Sequence, residues 1–553
     1  MGFYVGIDLG TTNSTVSVIQ TSEYEDNPLE ALDTRPIYQF DARLKEQMGE
    51  VCLPSALYFD IENSKVYTGL YAKAMYASGD HPLQTVCSIK TRLSGMSQVV
   101  VPGIRDSNCT ETFSMVECDA FFIRTILQSL KAQFPSEDVA REAVVTVPAA
   151  FSDDERVATQ NAVLLGGFRS CRILDEPTAA LISYLNSDIA DEDLAEKEET
   201  CRLVYDIGGG TLDVCVAQAK INDDGDYNVN VLGLSERMNL GGDDFDRMLA
   251  ASFLMEFEQS TAPIESYSLE DQSRIIARII SNAEDYKIKL STQVLGTEHR
   301  RLSRLRPIRI SFNLINGMHI EGQTLSKDKF DDLCAVFTNP ASGLLLKPVR
   351  SALKRAKIKP EDIDEVILTG GMSSLYSIPK VLQEHFGGRE PSFVEDTRTA
   401  VSRGAALYHW SLDENNYCEG VKRLSHISER MAGNVYLRRG NEFQMLIDGN
   451  MPETSGDFFL KVTDSYMTHL PLFLYSGSLE EEGADKLTAL SGHRLRLQHA
   501  YNEGDDIRLH WTIDENKMIT IALQEQGYAP LSISRQPEPS QYDLVQRYTV
   551  NGG

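Results

Sequence analysis

Two short stretches place an acid ahead of a glycine-bearing turn. The first is Asp8-Leu9-Gly10-Thr11-Thr12-Asn13, and the second, far along the chain, is Asp206-Ile207-Gly208-Gly209-Gly210-Thr211-Leu212-Asp213. A turn of this kind presents several backbone N–H groups to one point, where an anion can sit. Glycine also lets the main chain approach a phosphate with no Cβ between them. The carboxylate ahead of each turn would face that anion and be repelled unless a cation intervened. Asp8 and Asp206 therefore point to Mg2+, held mostly through water. Gly208-Gly209-Gly210 alone is as readily a structural turn as a phosphate loop. Two acid–glycine–threonine turns, with a third glycine pair at Gly370-Gly371 after an apolar run, are much harder to obtain by chance.

The elements that must position these residues follow from apolar periodicity. Each turn lies between strand-like runs (Phe3, Val5, Ile7 and Val16, Val18, Ile19; Leu203, Val204, Tyr205 and Val214, Val216). The period-two pattern resumes after the glycines, which predicts strand–turn–strand twice, hence two similar α/β lobes and not a short-period solenoid. Between them, Phe122, Ile126, Leu130 and Phe134 at i+4 spacing predict a helix over 116–134. A buried strand over 143–147 ends at Pro148, Ser152-Asp153-Asp154-Glu155 opens a helix, and Gly166-Gly167 closes it. A short strand over 172–174 leads to Asp175-Glu176-Pro177-Thr178, and the acidic stretch 188–199 is expected to be a solvated loop. Helices are expected over 243–257, 271–290, 340–356 and 400–410, with a strand over 364–368. The texture changes near Leu412. The expected division is a domain over 1–412, a linker over 413–424, an all-β module over 425–527 and a flexible tail over 528–553.

A chain of 553 residues is too long for one core, which stops growing at about 250–300 residues. Lys+Arg 53 against Asp+Glu 81 gives a formal charge of -28, a surface that repels nucleic-acid phosphates and anionic lipid. The densest basic cluster, Arg300, Arg301, Arg304, Arg306 and Arg309, is short and interleaved with strand-like residues, which suits a solvated turn and strand. Neither nucleic-acid nor membrane binding is expected. The start, Met1-Gly2-Phe3-Tyr4, has no charged leader, and Gly6 fails a myristoylation pattern. The nine cysteines include no CxxC, which fits reduced thiols and a cytoplasmic location.

Asp8-Leu9-Gly10-Thr11-Thr12-Asn13-Ser14, Val147-Pro148-Ala149-Ala150-Phe151, Glu176-Pro177-Thr178-Ala179-Ala180, the second acid–glycine turn, and Leu240-Gly241-Gly242-Asp243-Asp244-Phe245-Asp246 follow one another in a familiar order. Together they resemble the signatures of the 70-kDa heat-shock chaperone family, across residues 1 to about 410. The resemblance implies an α/β, actin-like (ribonuclease-H-type) two-lobe ATPase domain followed by a small all-β sandwich. ATP or ADP with Mg2+ would lie between the lobes, and the family reading also admits K+.

Carried over, Gly10, Thr11, Thr12 and Asn13 would meet the phosphates with Gly208, Gly209 and Gly210, while Asp8, Asp206 and Asp213 would surround Mg2+. Lys73, Glu176, Asp206 and Thr211 would serve hydrolysis by positioning water and neutralising charge. Gly242, Glu284, Lys287, Ser291, Gly370 and Gly371 fall where the family holds adenosine. Pro148 and Arg156, with Glu176, match positions that couple the lobes to the second domain, a hinge-type switch. Without the resemblance, Lys73 is an ordinary surface lysine, Pro148 ends a strand and Arg156 occupies a solvated first turn.

Departures from the family pattern carry information as well. Gly370-Gly371 is followed by Met372-Ser373-Ser374-Leu375, with Ser374 where an adenine-stacking arginine falls in the family, and Arg398 replaces an acid. Loss of such a stacking contact costs about 0.5–2 kcal/mol, so nucleotide binding weaker than is typical is expected. The β-module resembles the family's peptide-binding sandwich weakly, and Met431, Leu460, Thr463 and Leu470 fall near its groove; ordinary core packing explains each of them as well. Asn416-Tyr417-Cys418-Glu419 replaces the leucine-rich linker, which puts linker docking in doubt, and a helical lid is not expected. Two functions follow: a lidless chaperone-like ATPase with protein clients, a J-domain co-chaperone and an exchange factor, or a nucleotide-binding adaptor with little turnover and one dedicated partner. A small-molecule kinase on the same fold is the remote third.

Overall fold

The computed structural model describes residues 2–551 except 23–25, 42–43, 93–96, 106–108, 188–196, 223–225, 298–304, 417, 419–420, 422, 429, 452–453, 464, 480–482, 484–486, 491, 524–530 and 535–543. Most of the acidic stretch and Arg300, Arg301 and Arg304 lie outside the described residues, as do Tyr417 and Glu419 of the linker.

Two six-stranded sheets repeat the same central strand order. In the first, Gly2–Asp8 runs antiparallel to Asn13–Thr21 and parallel to Ala143–Val147, which in turn pairs parallel with Cys171–Asp175. In the second, Glu199–Ile207 runs antiparallel to Leu212–Ile221 and parallel to Glu365–Thr369, which pairs parallel with Ser392–Phe393. The sequence repeat is therefore a structural repeat, and it puts Asp8 and Asp206 at the same point of each sheet.

Each sheet has its own outer core. Met115–Gln133 and Asp153–Gly166 cover the first, with Phe122, Ile126 and Leu130 buried at their i+4 spacing. Gly242–Ser260, Leu269–Leu295 and Lys347–Ala356 cover the second. The inner faces share a third core. Helices Glu176–Leu185 and Ala400–Ser411 lie in it, with Val144 from one sheet and Val204 and Ile367 from the other. Ala179, Ala180, Ala405 and Ala406 keep this layer thin enough for the two helices to pack closely.

Residues from 434 onward build two four-stranded antiparallel sheets and a two-stranded one around a common core that includes Val435, Leu460, Leu509 and Ile521. The strand Asp506–Ile513 alternates as its sequence predicts, with Ile507, Leu509 and Trp511 inward. Among the described residues, no helix is long and apolar enough to cross a membrane.

Three segments differ from the sequence expectation. The helix expected over 340–356 begins only at Lys347, after a single 3-10 turn at Leu344–Leu346. Leu424–Ser428, assigned to the end of the linker and the start of the β-module, pairs parallel with Tyr227–Leu234 and completes the second sheet. An unpaired sheet edge offers a row of free backbone donors and acceptors, and this segment satisfies them. The linker's end is thus docked although it lacks the family's leucines. The tail expected to be flexible also has structure. Leu531–Ser534 adds a strand to the β-region, and Leu544–Arg547 forms a short helix against the first half. Thr549–Val550 then pairs parallel with Lys65–Thr68. The physical reason is burial: Leu544, Val545, Tyr548 and Val550 join the first outer core, although the tail is short and carries prolines.

Candidate functional site

The two acid–glycine turns face each other across a cleft of about 490 Å3. The first turn contributes Asp8, Gly10, Thr11, Thr12 and Asn13, and the second Asp206, Gly208, Gly209 and Thr211. Gly370 and Gly371 follow the strand Glu365–Thr369, Gly242 begins a helix, and Glu284 and Lys287 project from Leu269–Leu295 to complete the walls. Two glycines are required by geometry. A Cβ on Gly209 would collide with Thr12 Oγ1 from the opposite turn, and Gly370 has φ 83° with Asp206 Oδ1 pressed against it. The second turn is braced by Gly242 N donating to Gly208 O at 3.1 Å and Asp243 N donating to Gly209 O at 2.8 Å.

Charge decides what this cleft can hold. Burial pushes Asp8 up to about 7, with the Glu176 charge adding and Lys90 opposing. Asp206 is driven well above the usual carboxylate range by burial, then by Glu176, Asp213 and Asp8. Asp213, opposite Asp206 in the hairpin, is raised to about 7 by burial and by Glu176. The cleft is lined by Asp8, Glu176, Asp206, Asp243, Asp246 and Glu284 against Lys287 and Arg398, with Lys90 paired to Glu176, so a polyphosphate can enter only with a cation that offsets the excess negative charge. Thr12 Oγ1 is buried with no hydrogen-bond partner among the described residues, which suits a donor awaiting a phosphate oxygen. No group of three His, Cys, Asp or Glu among the described residues is close enough to ligate a metal directly. A Mg2+ ion that keeps most of its waters and binds phosphate oxygens fits this donor set.

Two lysines stand near the site in different settings. Lys73 lies on Leu70–Ser78 with its side chain 43% exposed, and its Nζ is 3.3 Å from Glu284 Oε1 at the cleft rim. Lys90 instead is buried, ion-paired with Glu176 and 3.3 Å from Thr146 O. Lys90 thus holds its ammonium against the cluster of Asp8, Glu176 and Asp206, while Lys73 stays at the rim, and neither lysine lines the cleft itself. The signal for Lys90 was a lone cation ending the apolar run Thr85-Val86-Cys87-Ser88-Ile89. Other expected residues sit behind the wall. Gly210 and Asp213 do not line the cleft, and Ser291 Oγ is engaged by Ser374 O at 3.1 Å and Tyr376 N at 3.2 Å. Lys287 lines the cleft but is ion-paired with Asp246 at 2.8 Å. Ser374, Ile288 and Arg398 are also in the wall.

A family model described as Hsp70 protein matches residues 4–425. The chain belongs to the Hsp70 family. Chaperone protein DnaK of Thermosipho melanesiensis is 30% identical over 405 residues, 73% of this chain and 58% of that protein. Chaperone protein DnaK of Thermosipho africanus is 30% identical over 527 residues, 95% of this chain and 78% of the relative. That of Thermotoga neapolitana is 29% identical over 405 residues, 73% and 59% of the two chains. Two of these three alignments therefore span under two thirds of the relative's length.

In this Hsp70-family chain the expected coupling residues lie directly under the docked β-region. Pro148 is buried where Ala143–Val147 ends, and Phe151 N donates to its carbonyl at 3.0 Å. Arg156 is 2% exposed, not solvated: its guanidinium holds Asp175 at 2.7 Å and reaches the carbonyls of Ala149 and Phe151. Lys517 of the β-region takes the other Asp175 oxygen at 2.5 Å. Beside it, Ile519 N donates to Asp153 Oδ1 at 2.8 Å and Ile173 N to Asn516 Oδ1 at 2.9 Å. Asp175 immediately precedes Glu176, so one peptide step separates the interdomain clamp from the cleft's carboxylate cluster.

The β-region has its own cavity of about 940 Å3. Leu460, Thr463 and Leu470 line it, as expected for a groove. Met431 does not: it lies in the crevice with Ala149, Arg156 and Lys517, because its segment runs along the interface and not through the sheets.

Proposed function

We propose that this chain is an ATP-dependent, chaperone-like protein of the Hsp70 family. It binds ATP or ADP with Mg2+ in the cleft between two actin-like lobes and hydrolyses ATP slowly. The nucleotide state sets how the β-region docks and how it holds a protein client. The observation that carries this reading is the buried cluster of Asp8, Glu176, Asp206 and Asp213 around Lys90, between facing glycine turns.

Within it, Gly10, Thr11, Thr12, Asn13, Gly208 and Gly209 cradle the phosphates through backbone N–H groups and hydroxyls. Asp8 and Asp206 would hold Mg2+ through water, with the Asp213 charge behind the wall adding to the field, and the ion would neutralise phosphate charge. Glu176 and Asp206 accept protons from, and so orient, an attacking water. Lys90 takes the role first given to Lys73, and Thr211 contacts the terminal phosphate. Positioning and charge neutralisation carry phosphoryl transfer, so each part is worth a large factor in rate. Coupling runs from Glu176 through Asp175 to Arg156 and Lys517. A J-domain co-chaperone and an exchange factor are the partners that fit, in the cytoplasm.

Single-turnover ATP hydrolysis tests this reading. Lys90→Ala and Thr211→Ala should each slow it about 10²-fold or more, while Lys73→Ala stays within a few-fold. Equal effects of Lys73→Ala and Lys90→Ala would overturn the assignment. Nucleotide binding with no detectable hydrolysis would give the adaptor reading instead.

A further inference from the structure

We infer that the groove of the β-region selects an extended peptide whose apolar residues are flanked by aspartate or glutamate. This rests on the proposed client-binding role of that region. The chain carries 81 acids against 53 lysines and arginines, yet the groove inverts that balance. Its apolar floor is formed by Leu437, Leu460 and Leu470, all nearly fully buried, with Phe473 exposed at the side. Around that floor stand Arg438, Arg439 and Arg494, against a single acid, Glu442.

These arginines are not spent on internal pairs. The Arg438 guanidinium donates to Gly440 O at 3.0 Å and Tyr475 Oη at 3.1 Å and lies over the rings of Phe443 and Tyr475. Arg439 donates to Thr463 Oγ1 at 3.4 Å. Among the described residues, no carboxylate lies within ion-pair distance of either, or of Arg494. Arg508, on the inner strand Asp506–Ile513 of the same region, shows the contrast: it is held by both oxygens of Asp457, at 3.0 and 2.7 Å.

Their placement brackets the floor. Arg438 and Arg439 end the strand Asn434–Arg439, beside the turn to Glu442–Ile447. Arg494 comes from a different sheet, opposite Pro471 and next to the Leu470–Leu495 pair. Positive charge therefore flanks the apolar floor from two sides. A guanidinium presents a fork that matches a carboxylate, so an acid on either side of a bound leucine would meet one. The same charges oppose lysine or arginine at those places. Phe473 offers one exposed phenyl ring and not the row of rings on which successive bases stack, so an apolar acidic peptide is a better fit than a nucleic-acid strand.

The test uses the full chain and three fluorescent peptides that share one leucine-rich centre, flanked on both sides by two aspartates, two serines or two lysines. Anisotropy titration should rank them aspartate, serine, lysine, with at least tenfold between the ends, and the gap should narrow in 0.5 M salt. The Arg439→Glu, Arg494→Glu double variant should reverse the order. Equal affinities, or a lysine preference, in the unaltered chain would overturn the acidic selectivity and leave the client-binding role standing. Tighter binding of a single-stranded oligonucleotide than of the aspartate peptide would also overturn it. If no peptide binds, the client-binding role itself falls, and the selectivity with it.

Discussion

Asp119 illustrates what burial does to one side chain. It lies on Met115–Gln133, 2% exposed, and its Oδ2 has no hydrogen-bond partner among the described residues. Burial raises it to about 7, with only the Lys90 charge pulling it down. Because the folded value exceeds the unfolded one, the folded state binds more protons between about pH 4 and pH 7. Its effect is therefore a loss of stability as pH rises through that window, on the order of 4 kcal/mol at most. Asp119→Asn should flatten that part of the profile and raise the melting temperature at pH 8 more than at pH 5. Equal shifts at both pH values would refute it. At this scale the sequence was legible where chemistry is local. Asp8 and Asp206 announce themselves because acid, glycine and threonine are neighbours in the chain. Lys90 does not, because its partner Glu176 is 86 residues away and the pair exists only once the first sheet is built.

Among the elements, the clamp on Asp175 has the clearest consequence. A carboxylate fully out of water is shared by Arg156 of its own lobe and Lys517 of the β-region. Breaking a buried pair costs about 3–5 kcal/mol when a charge is left unpaired, and less here because Arg156 remains. Lys517→Ala should leave each part folded but speed hydrogen exchange at the Ile173 and Ile519 amides, which are bonded across the interface. Unchanged exchange at both would mean that the clamp does not hold the domain. The cleft's far wall bears on affinity. Ser374 stands where a stacking cation would help, so a micromolar or weaker dissociation constant for ATP is expected by calorimetry, and a submicromolar value would contradict this. Strand and helix positions were readable from periodicity, and the long helices extend only a few residues past their expected ends. The docking of Leu424–Ser428 was not readable, since a sheet edge accepts any extended segment through backbone groups alone.

For the whole molecule, the returning tail is the least expected feature. Leu544, Val545, Tyr548 and Val550 are buried in the first core, and Asn551 Oδ1 accepts from Thr68 N at 2.9 Å. Arg124 fixes the same segment through the carbonyls of Val545 and Tyr548. Each large apolar side chain so buried contributes about 1.5–3 kcal/mol, partly offset by ordering the chain. Deleting 544–553 should lower the melting temperature of the first half by several degrees; no change would show that these contacts carry no stability. The sequence alone hid this because eight residues have no periodicity of their own, and their partners are more than four hundred positions away. The architecture also limits travel. The β-region is moored at two points, by Leu424–Ser428 on one half and by Thr549–Val550 on the other. With the β-region tied to both halves, opening of the clamp is an intramolecular step, and re-engagement takes place at about millimolar effective concentration, with no search for a free partner.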